Sequence, residues 1–256
     1  MNYMLSLKNK VVFITGASSG IGRQTALAFA EAKAKVVLAA RSEPKLQLLA
    51  NEIKANGGTA LVVKLDVRSI SSIHNAVQTA LDHFGQIDTL INNAGILIRR
   101  TFLEYTETDW DDTLNTNLKG VFFLSQSFAR HMIKQKIKGN IINVASVAAV
   151  RARKNSLAYG ISKAALEHLT RLLAVELAPY KIKVNAISPG VFITNINEEF
   201  LKSESGKKLI DGILMKRAGE LDELVPHILL LASDLSAYMT GSILRIDGGL
   251  SCNELN

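Results

Sequence analysis

The sequence predicts a doubly wound α/β fold: a parallel sheet of seven strands with helices on both faces. Short β-branched runs alternate along the chain with longer segments of helical spacing. Most of these runs are apolar at every position rather than at alternate ones, as strands covered on both faces must be. The third observation is FITGASSGIG, residues 13–22, where an apolar run stops at Thr15 and gives way to a stretch almost without large side chains.

In chain order, KVVFIT (10–15) is the first strand and feeds a helix over 20–33. KVVLAA (35–40) leads to a helix over 43–56, and TALVVKLDV (59–67) to one over 69–84. IDTLINN (87–93) and NIINVAS (140–146) flank a helix over 117–137; another over 156–178 precedes IKVNAIS (182–188), and SILRID (242–247) closes the set. Strand, helix, strand repeated without a compositional break implies right-handed crossovers and one domain over residues 1–256. The least regular part, 191–217, reads either as a lid over a site or as an exposed connection.

Composition narrows the class. With 256 residues, 48% of them hydrophobic and 21% charged, the chain can bury a sizeable core and lacks a disorder signature. The single cysteine, Cys252, permits no intramolecular disulfide. MNYMLSLKNK lacks the order of a signal peptide, and no stretch reaches the roughly 18 apolar residues of a membrane span, so a cytoplasmic location is expected. The net charge of +7 is scattered in twos and threes, which argues against nucleic acid as a partner.

The glycines at 16, 20 and 22 mark where something approaches the backbone closely. A helix N-terminus carries unpaired N–H groups and partial positive charge, so a phosphate is stabilised there if no side chain blocks it. Gly16 would permit the sharp exit from the strand, Gly20 the close approach, and Gly22 the packing of helix on sheet. The spacing is G-x-x-x-G-x-G, which differs from the usual dinucleotide fingerprint. In a dinucleotide (Rossmann) fold the end of the second strand meets the adenosine ribose, and an acidic residue there would select NAD. Here Arg41 and Ser42 follow Ala40, so a 2′-phosphate is welcomed and NADP(H) is favoured over NAD(H). Asp66 reads either as an acceptor for the adenine amino group or as a helix cap.

Tyr159 and Lys163, in SLAYGISKAAL, fall on one face of a predicted helix. A phenol beside an ammonium should have a lowered pKa and trade a proton near neutral pH. Ser146, at the end of the fifth strand, lies at the sheet edge where ligands collect. No metal is expected, because no His, Cys or carboxylate cluster has ligand spacing; His74, His83, His131, His168 and His227 read as packing or surface residues of helices.

These residues together give the chain a plain resemblance to the short-chain dehydrogenase/reductase family. It runs across nearly the whole length, through TGASSGIG (15–22), NNAG (92–95), Asn117 in NTNLKG, Ser146, YGISK (159–163), SPGVFIT (188–194) and ASDLSAYMTGSILRIDGG (232–249). The resemblance implies that Tyr159 is the general acid in carbonyl reduction and the base in alcohol oxidation. Lys163 would lower the pKa of Tyr159 and bind the nicotinamide ribose, Ser146 would polarise the carbonyl, and Asn117 would hold a water linking Lys163 to solvent. It also implies a cofactor lined by Gly16, Ser18, Ser19, Gly20, Ile21, Gly22, Asp66, Val67, Asn93, Ala94 and Gly95, with Pro189, Gly190 and Thr194 on the nicotinamide side.

For the substrate, Arg99 and Arg100 on one loop and Arg151, Arg153 and Lys154 on another suggest an anion, or else form a solvated basic rim. NNAGILIRR is similar to sugar-acid members such as gluconate 5-dehydrogenases. The other near relatives are the 3-oxoacyl-acyl-carrier-protein reductases, of whose two carrier-docking arginines Arg130 matches one while Val175 replaces the other. Family members pair the helices of 100–137 and 156–178 between subunits, so a homotetramer or homodimer is implied. A non-catalytic NADP(H) sensor or scaffold is the competing class; such a protein has no chemical need of the phenol.

Overall fold

The computed structural model describes residues 7–194 and 198–252. Seven strands form one parallel sheet: β1 (Val11–Thr15), β2 (Lys35–Ala40), β3 (Thr59–Lys64), β4 (Thr89–Asn92), β5 (Asn140–Val144), β6 (Lys183–Pro189) and β7 (Ile243–Ile246), in the order β3-β2-β1-β4-β5-β6-β7. The helices are α1 (Gly20–Glu31), α2 (Glu43–Ala55), α3 (Ile70–Phe84), α4 (Glu107–Leu114), α5 (Gly120–Lys134), α6 (Leu157–Leu177), α7 (Glu198–Lys202), α8 (Glu204–Asp211) and α9 (Leu221–Ala232). The fold is the doubly wound Rossmann arrangement, and its winding reverses between β1 and β4, which pair directly.

The two-sided apolar strands follow from two cores. On β1, Val12 and Ile14 pack with Phe29 of α1, Ile53 of α2 and Ile228 of α9, while Val11 and Phe13 pack with Ile73 of α3 and Phe128 of α5 on the other face. Phe13 and Phe128 meet at 4.9 Å between ring centroids. Each such side chain contributes about 1.5–3 kcal/mol through burial. Buried amides tie the layers together: Asn92 Nδ2 donates to Ser125 Oγ (3.1 Å) and Asn143 Oδ1 (2.9 Å), and Asn143 Nδ2 donates to Thr170 Oγ1 (2.9 Å). That chain sets α5 and α6 against β4 and β5.

The structure differs from the sequence reading around residue 115. The helix expected over 117–137 is preceded by α4 and joined to it by a π-helical turn, Asn115–Lys119. The acidic, weakly apolar TETDWDDTLNTN conceals α4, which Thr106 and Asp109 start through a capping box. The third strand ends at Lys64 and the fifth at Val144, so Asp66 and Ser146 lie just past strand ends rather than in them. Within 191–217 the described residues hold α7 and α8 and a bridge from Phe192 to Gly219; residues 195–197 of that segment lie outside the described residues.

Candidate active site

The glycine turn is built for proximity. Gly16 has φ +65°, and a Cβ there would sit 2.9 Å from Asn93 Nδ2 and 3.0 Å from Ala94 Cα. A Cβ on Gly22 would collide with the Gly16 carbonyl oxygen and lie 2.5 Å from Asn93 Nδ2, so Gly22 packs against the turn and the end of β4 rather than simply on the sheet. By contrast, a Cβ on Gly20 would meet only Thr194 Cγ2, at 3.7 Å. Asn93 holds the turn through Nδ2 to the carbonyls of Thr15 (2.9 Å) and Gly16 (3.2 Å). Thr15 Oγ1 accepts from the backbone N–H groups of Asn93 and Ala94, each at 2.9 Å.

Beside this turn runs a groove of about 1020 Å³. Of the residues expected to line a cofactor, it brings together Gly16, Ser18, Ser19, Gly20, Ile21, Arg41, Ser42, Asp66, Val67, Asn93, Ala94, Gly95 and Thr194. Gly22, Tyr159, Lys163, Pro189 and Gly190 do not line it. The requirement for glycine at 190 comes from β7, since a Cβ there would lie 2.6 Å from Asp247 Cα. At the head of the groove the N-terminus of α1 has no side-chain cap from Ser19 and no acid in its first turn. Its first N–H groups therefore remain available to an anion. The groove, the turn of glycine and small side chains and the open helix end fit a dinucleotide.

Sequence reasoning missed Lys45, Arg68, Asp112 and Thr116, which also line the groove. Lys45 lies in the first turn of α2, three positions past Ser42, and helical spacing could have found it. Arg68 donates through Nη1 to Asp112 (2.8 Å) and through Nε and Nη2 to Asp66 (3.3 and 3.2 Å). Burial would raise the Asp66 pKa, but the hydrogen bonds from Arg68 outweigh it and hold the carboxyl below its ordinary value. The capping alternative for Asp66 is not realised: α3 is capped by Ser69, whose side chain accepts from Ser72 N–H.

Past Gly95 the groove approaches Lys163 and Asn117, for a Cβ on Gly95 would lie 3.6 Å from Lys163 Nζ and 3.2 Å from Asn117 Oδ1. Lys163 is 4% exposed, donates to Val144 O at 2.7 Å and stands 5.7 Å from the Tyr159 ring centroid. Burial lowers its pKa to about 8. Ser146 caps a short 3-10 turn, accepting from Ala148 N–H, and its hydroxyl also hydrogen bonds with Tyr159. The lowered phenol pKa expected from the neighbouring ammonium is not found here. Desolvation raises the Tyr159 pKa, and the hydrogen bond with Ser146 only partly opposes it.

Asn117 is fully buried in the π turn. Its side chain pairs with the backbone of Ile96, accepting from N–H (2.9 Å) and donating to C=O (3.0 Å), and it donates to Ser162 Oγ (3.0 Å). Those bonds anchor the loop after β4 to α6.

At the outer edge, crowding by protein and then the guanidiniums of Arg99 and Arg151 depress the pKa of Arg153, which places the three cations in one electrostatic neighbourhood. Arg151 also donates to Leu250 O (3.0 Å), and Arg153 stands 6.0 Å from the Phe200 ring of α7. Arg100 is turned toward Asp109 (3.4 Å). The five histidines lie on helices: His74 and His83 on α3, His131 on α5, His168 on α6 and His227 on α9. Among the described residues no group of three or more His, Cys, Asp or Glu could hold a metal, and no helix is long and apolar enough to cross a membrane.

A family model described as Enoyl-(Acyl carrier protein) reductase matches residues 16–251. The chain is 38% identical over 245 residues to 2-dehydro-3-deoxy-D-gluconate 5-dehydrogenase of Escherichia coli K12, covering 95% of this chain and 96% of the relative. It is also 38% identical over 246 residues to 3-oxoacyl-(acyl-carrier-protein) reductase FabG of Thermotoga maritima, covering 96% and 99%. Among solved structures, a gluconate 5-dehydrogenase from Burkholderia cenocepacia J2315 in complex with NADP and tartrate superposes with a TM-score of 0.93 at 33% identity, covering 98% of each chain.

Proposed function

The chain belongs to the short-chain dehydrogenase/reductase family, and from that premise we propose that it interconverts a carbonyl and a secondary alcohol on a small anionic polyol, with NADP(H) preferred over NAD(H). It is an oxidoreductase of the CH–OH/C=O class that uses a nicotinamide cofactor. One observation carries the substrate class: Arg99 and Arg151 both act electrostatically on Arg153, so three cations share the loops after β4 and β5, with Arg151 five residues past Ser146, where guanidiniums would hold a carboxylate. The sugar-acid substrate in the name of the E. coli relative agrees with that rim.

Gly16 to Gly22 and the N-terminus of α1 would receive the pyrophosphate, and Asp66 and Val67 the adenine. Arg41, Ser42 and Lys45 would meet a 2′-phosphate; no carboxylate of β2 stands in their place. When bound, the nicotinamide supplies or accepts the hydride. Tyr159 Oη donates the proton to the carbonyl oxygen in reduction and takes it back in oxidation. Burial keeps the phenol protonated near neutral pH, the state an acid needs. Ser146 orients the same oxygen, and Lys163, still mostly charged at neutral pH, stabilises negative charge on the phenol oxygen as the proton leaves. Asn117 would serve the lysine through the loop it anchors, and a water there is part of this reading. Residues 191–217 would act as a lid, supported by the seating of Phe200 over Arg153.

Exposed Phe122 on α5 and Leu172 and Val175 on α6 support a homotetramer or homodimer. The lone cysteine agrees with a cytoplasmic location. The acyl-carrier reading has less support: Arg130 is exposed on α5, but its expected companion is Val175, 75% exposed on α6.

The test is NADPH oxidation with oxo sugar acids, neutral ketoses and acetoacetyl thioesters, on wild type, Tyr159→Phe and Arg99→Ala/Arg151→Ala. Tyr159→Phe should lose about 10²–10⁴-fold in rate. The double arginine variant should raise KM about 10-fold or more for oxo acids only, the worth of a charge-assisted hydrogen bond. Equal loss on neutral ketoses would refute the anion rim, and unaltered turnover in Tyr159→Phe would refute the proton donor.

A further inference from the structure

Helix α6 presents Tyr159, Lys163 and Glu167 at successive four-residue steps, so the three share a face. The proposed chemistry uses the first two. Glu167 is 4% exposed, and a carboxylate at that depth is costly unless its oxygens are held. One oxygen accepts from Ser188 Oγ at 3.0 Å, inside the protein, and the other stands 4.0 Å from Arg245 of β7. Ser188, itself fully buried, is the penultimate residue of β6. The β5–β6 register pairs Val144 with Ile187, and Ala145 N–H donates to Ile187 O at 2.8 Å. Continued by two residues, that register sets Pro189 level with Ser146. The carboxylate therefore ties the helix that carries the phenol and the ammonium to the strand end beside Ser146. It does so one turn past Lys163, whose ammonium is bonded to Val144 O of β5. Lys163 holds α6 to β5 and Glu167 holds it to β6.

An apolar residue would fill the same position without desolvating a charge, so the carboxylate is explained by the geometry it enforces rather than by net stability. Burial alone accounts for the displaced pKa of Lys163, so Glu167 is not a tuning charge for the lysine.

We propose that Glu167 is a positioning residue which, through Ser188, fixes the end of β6 against α6 and thereby shapes the part of the site that receives the nicotinamide half of the cofactor. This rests on the cofactor reading given above. The glycine turn and the Arg41 end of the groove follow β1 and β2, on the other side of β4 and β5 from β6, and Thr194 is the residue after β6 that reaches the turn, so the adenosine half should depend on this pair far less than the nicotinamide half does.

The experiment compares binding of NADP⁺ with binding of 2′-phospho-ADP-ribose, which lacks the nicotinamide. Titration calorimetry would be run on wild type, Ser188→Ala, Glu167→Leu and Glu167→Gln. Ser188→Ala and Glu167→Leu should weaken NADP⁺ about 10-fold, the worth of a hydrogen bond to a charged group. They should leave the nicotinamide-free ligand within about twofold of wild type. Glu167→Gln keeps an acceptor for Ser188 and should bind NADP⁺ close to wild type. Unchanged NADP⁺ binding in Ser188→Ala and Glu167→Leu, or equal loss of both ligands, would overturn the proposal. If wild type bound neither ligand, the cofactor reading would fall and this inference with it.

Discussion

Replacing Lys163 with methionine should make the protein more stable at neutral pH, at the expense of its chemistry. The side chain is 4% exposed and its pKa falls from 10.5 to about 8 on burial. With about 1.36 kcal/mol per tenfold change in a protonation equilibrium, keeping the ammonium charged inside costs the fold about 3 kcal/mol. The hydrogen bond from Nζ to Val144 O, lost in the variant, offsets about 1–2 kcal/mol of that gain. A net stabilisation of about 1–2 kcal/mol is expected, or roughly 2–8 °C in Tm for a chain of this size. The pH dependence is the sharper signature. Below about pH 8 the lysine is protonated in folded and unfolded chains alike, and the wild type carries the full penalty. Between about pH 8 and 10.5 the unfolded chain binds the extra proton, so wild-type stability rises with pH. Methionine does not titrate. The advantage of the variant should therefore shrink by about 3 kcal/mol across that window and change sign within it, at about pH 9. Urea midpoints of both proteins, at matched concentration from about pH 6 to 10, measure the difference while cancelling other titrations. A difference that stays flat, or grows with pH, would refute the desolvation account of Lys163.

Three further outcomes test the cofactor groove and the glycine turn beside it. Arg41→Ala should raise KM for NADPH about 10–100-fold, the worth of a charge-assisted hydrogen bond to phosphate, and leave KM for NADH unchanged; parallel losses with both cofactors would remove the 2′-phosphate assignment. Gly22→Ala should cost about 1–3 kcal/mol in urea unfolding, because its Cβ meets the Gly16 carbonyl and Asn93. Gly20→Ala makes only an ordinary contact with Thr194 Cγ2 but has φ +52°, so it should cost about 1–2 kcal/mol and weaken NADP⁺ binding as well. An intact cofactor affinity in Gly20→Ala would show that nothing approaches the backbone there.

Much of this protein was legible before any coordinates. The strand and helix alternation, the two-sided apolar strands and the glycine turn depend on neighbours in sequence, and β1, β2, α1 and α2 begin within one residue of where the pattern puts them. Tyr159 and Lys163 could be paired because a helix fixes what lies four residues apart. Helix α4 escaped notice because its acidic surface carries almost no apolar period, although its Thr106–Asp109 cap was there to be read.

What the sequence by itself determined, then, is the class of fold, the glycine turn and the placing of Tyr159 and Lys163 on one helix face, all matters of local spacing. Tertiary structure alone decided the rest. It set the sign of the Tyr159 shift, because desolvation depends on how much protein surrounds the phenol and outweighs the hydrogen bond with Ser146. It committed the Asn117 side chain to Ile96 and Ser162, put Arg153 within electrostatic reach of Arg99 and Arg151, and joined Glu167 to Ser188 across 21 residues. Those facts rest on distances between segments remote in the chain. Packing sets such distances, and a one-dimensional pattern carries no record of them.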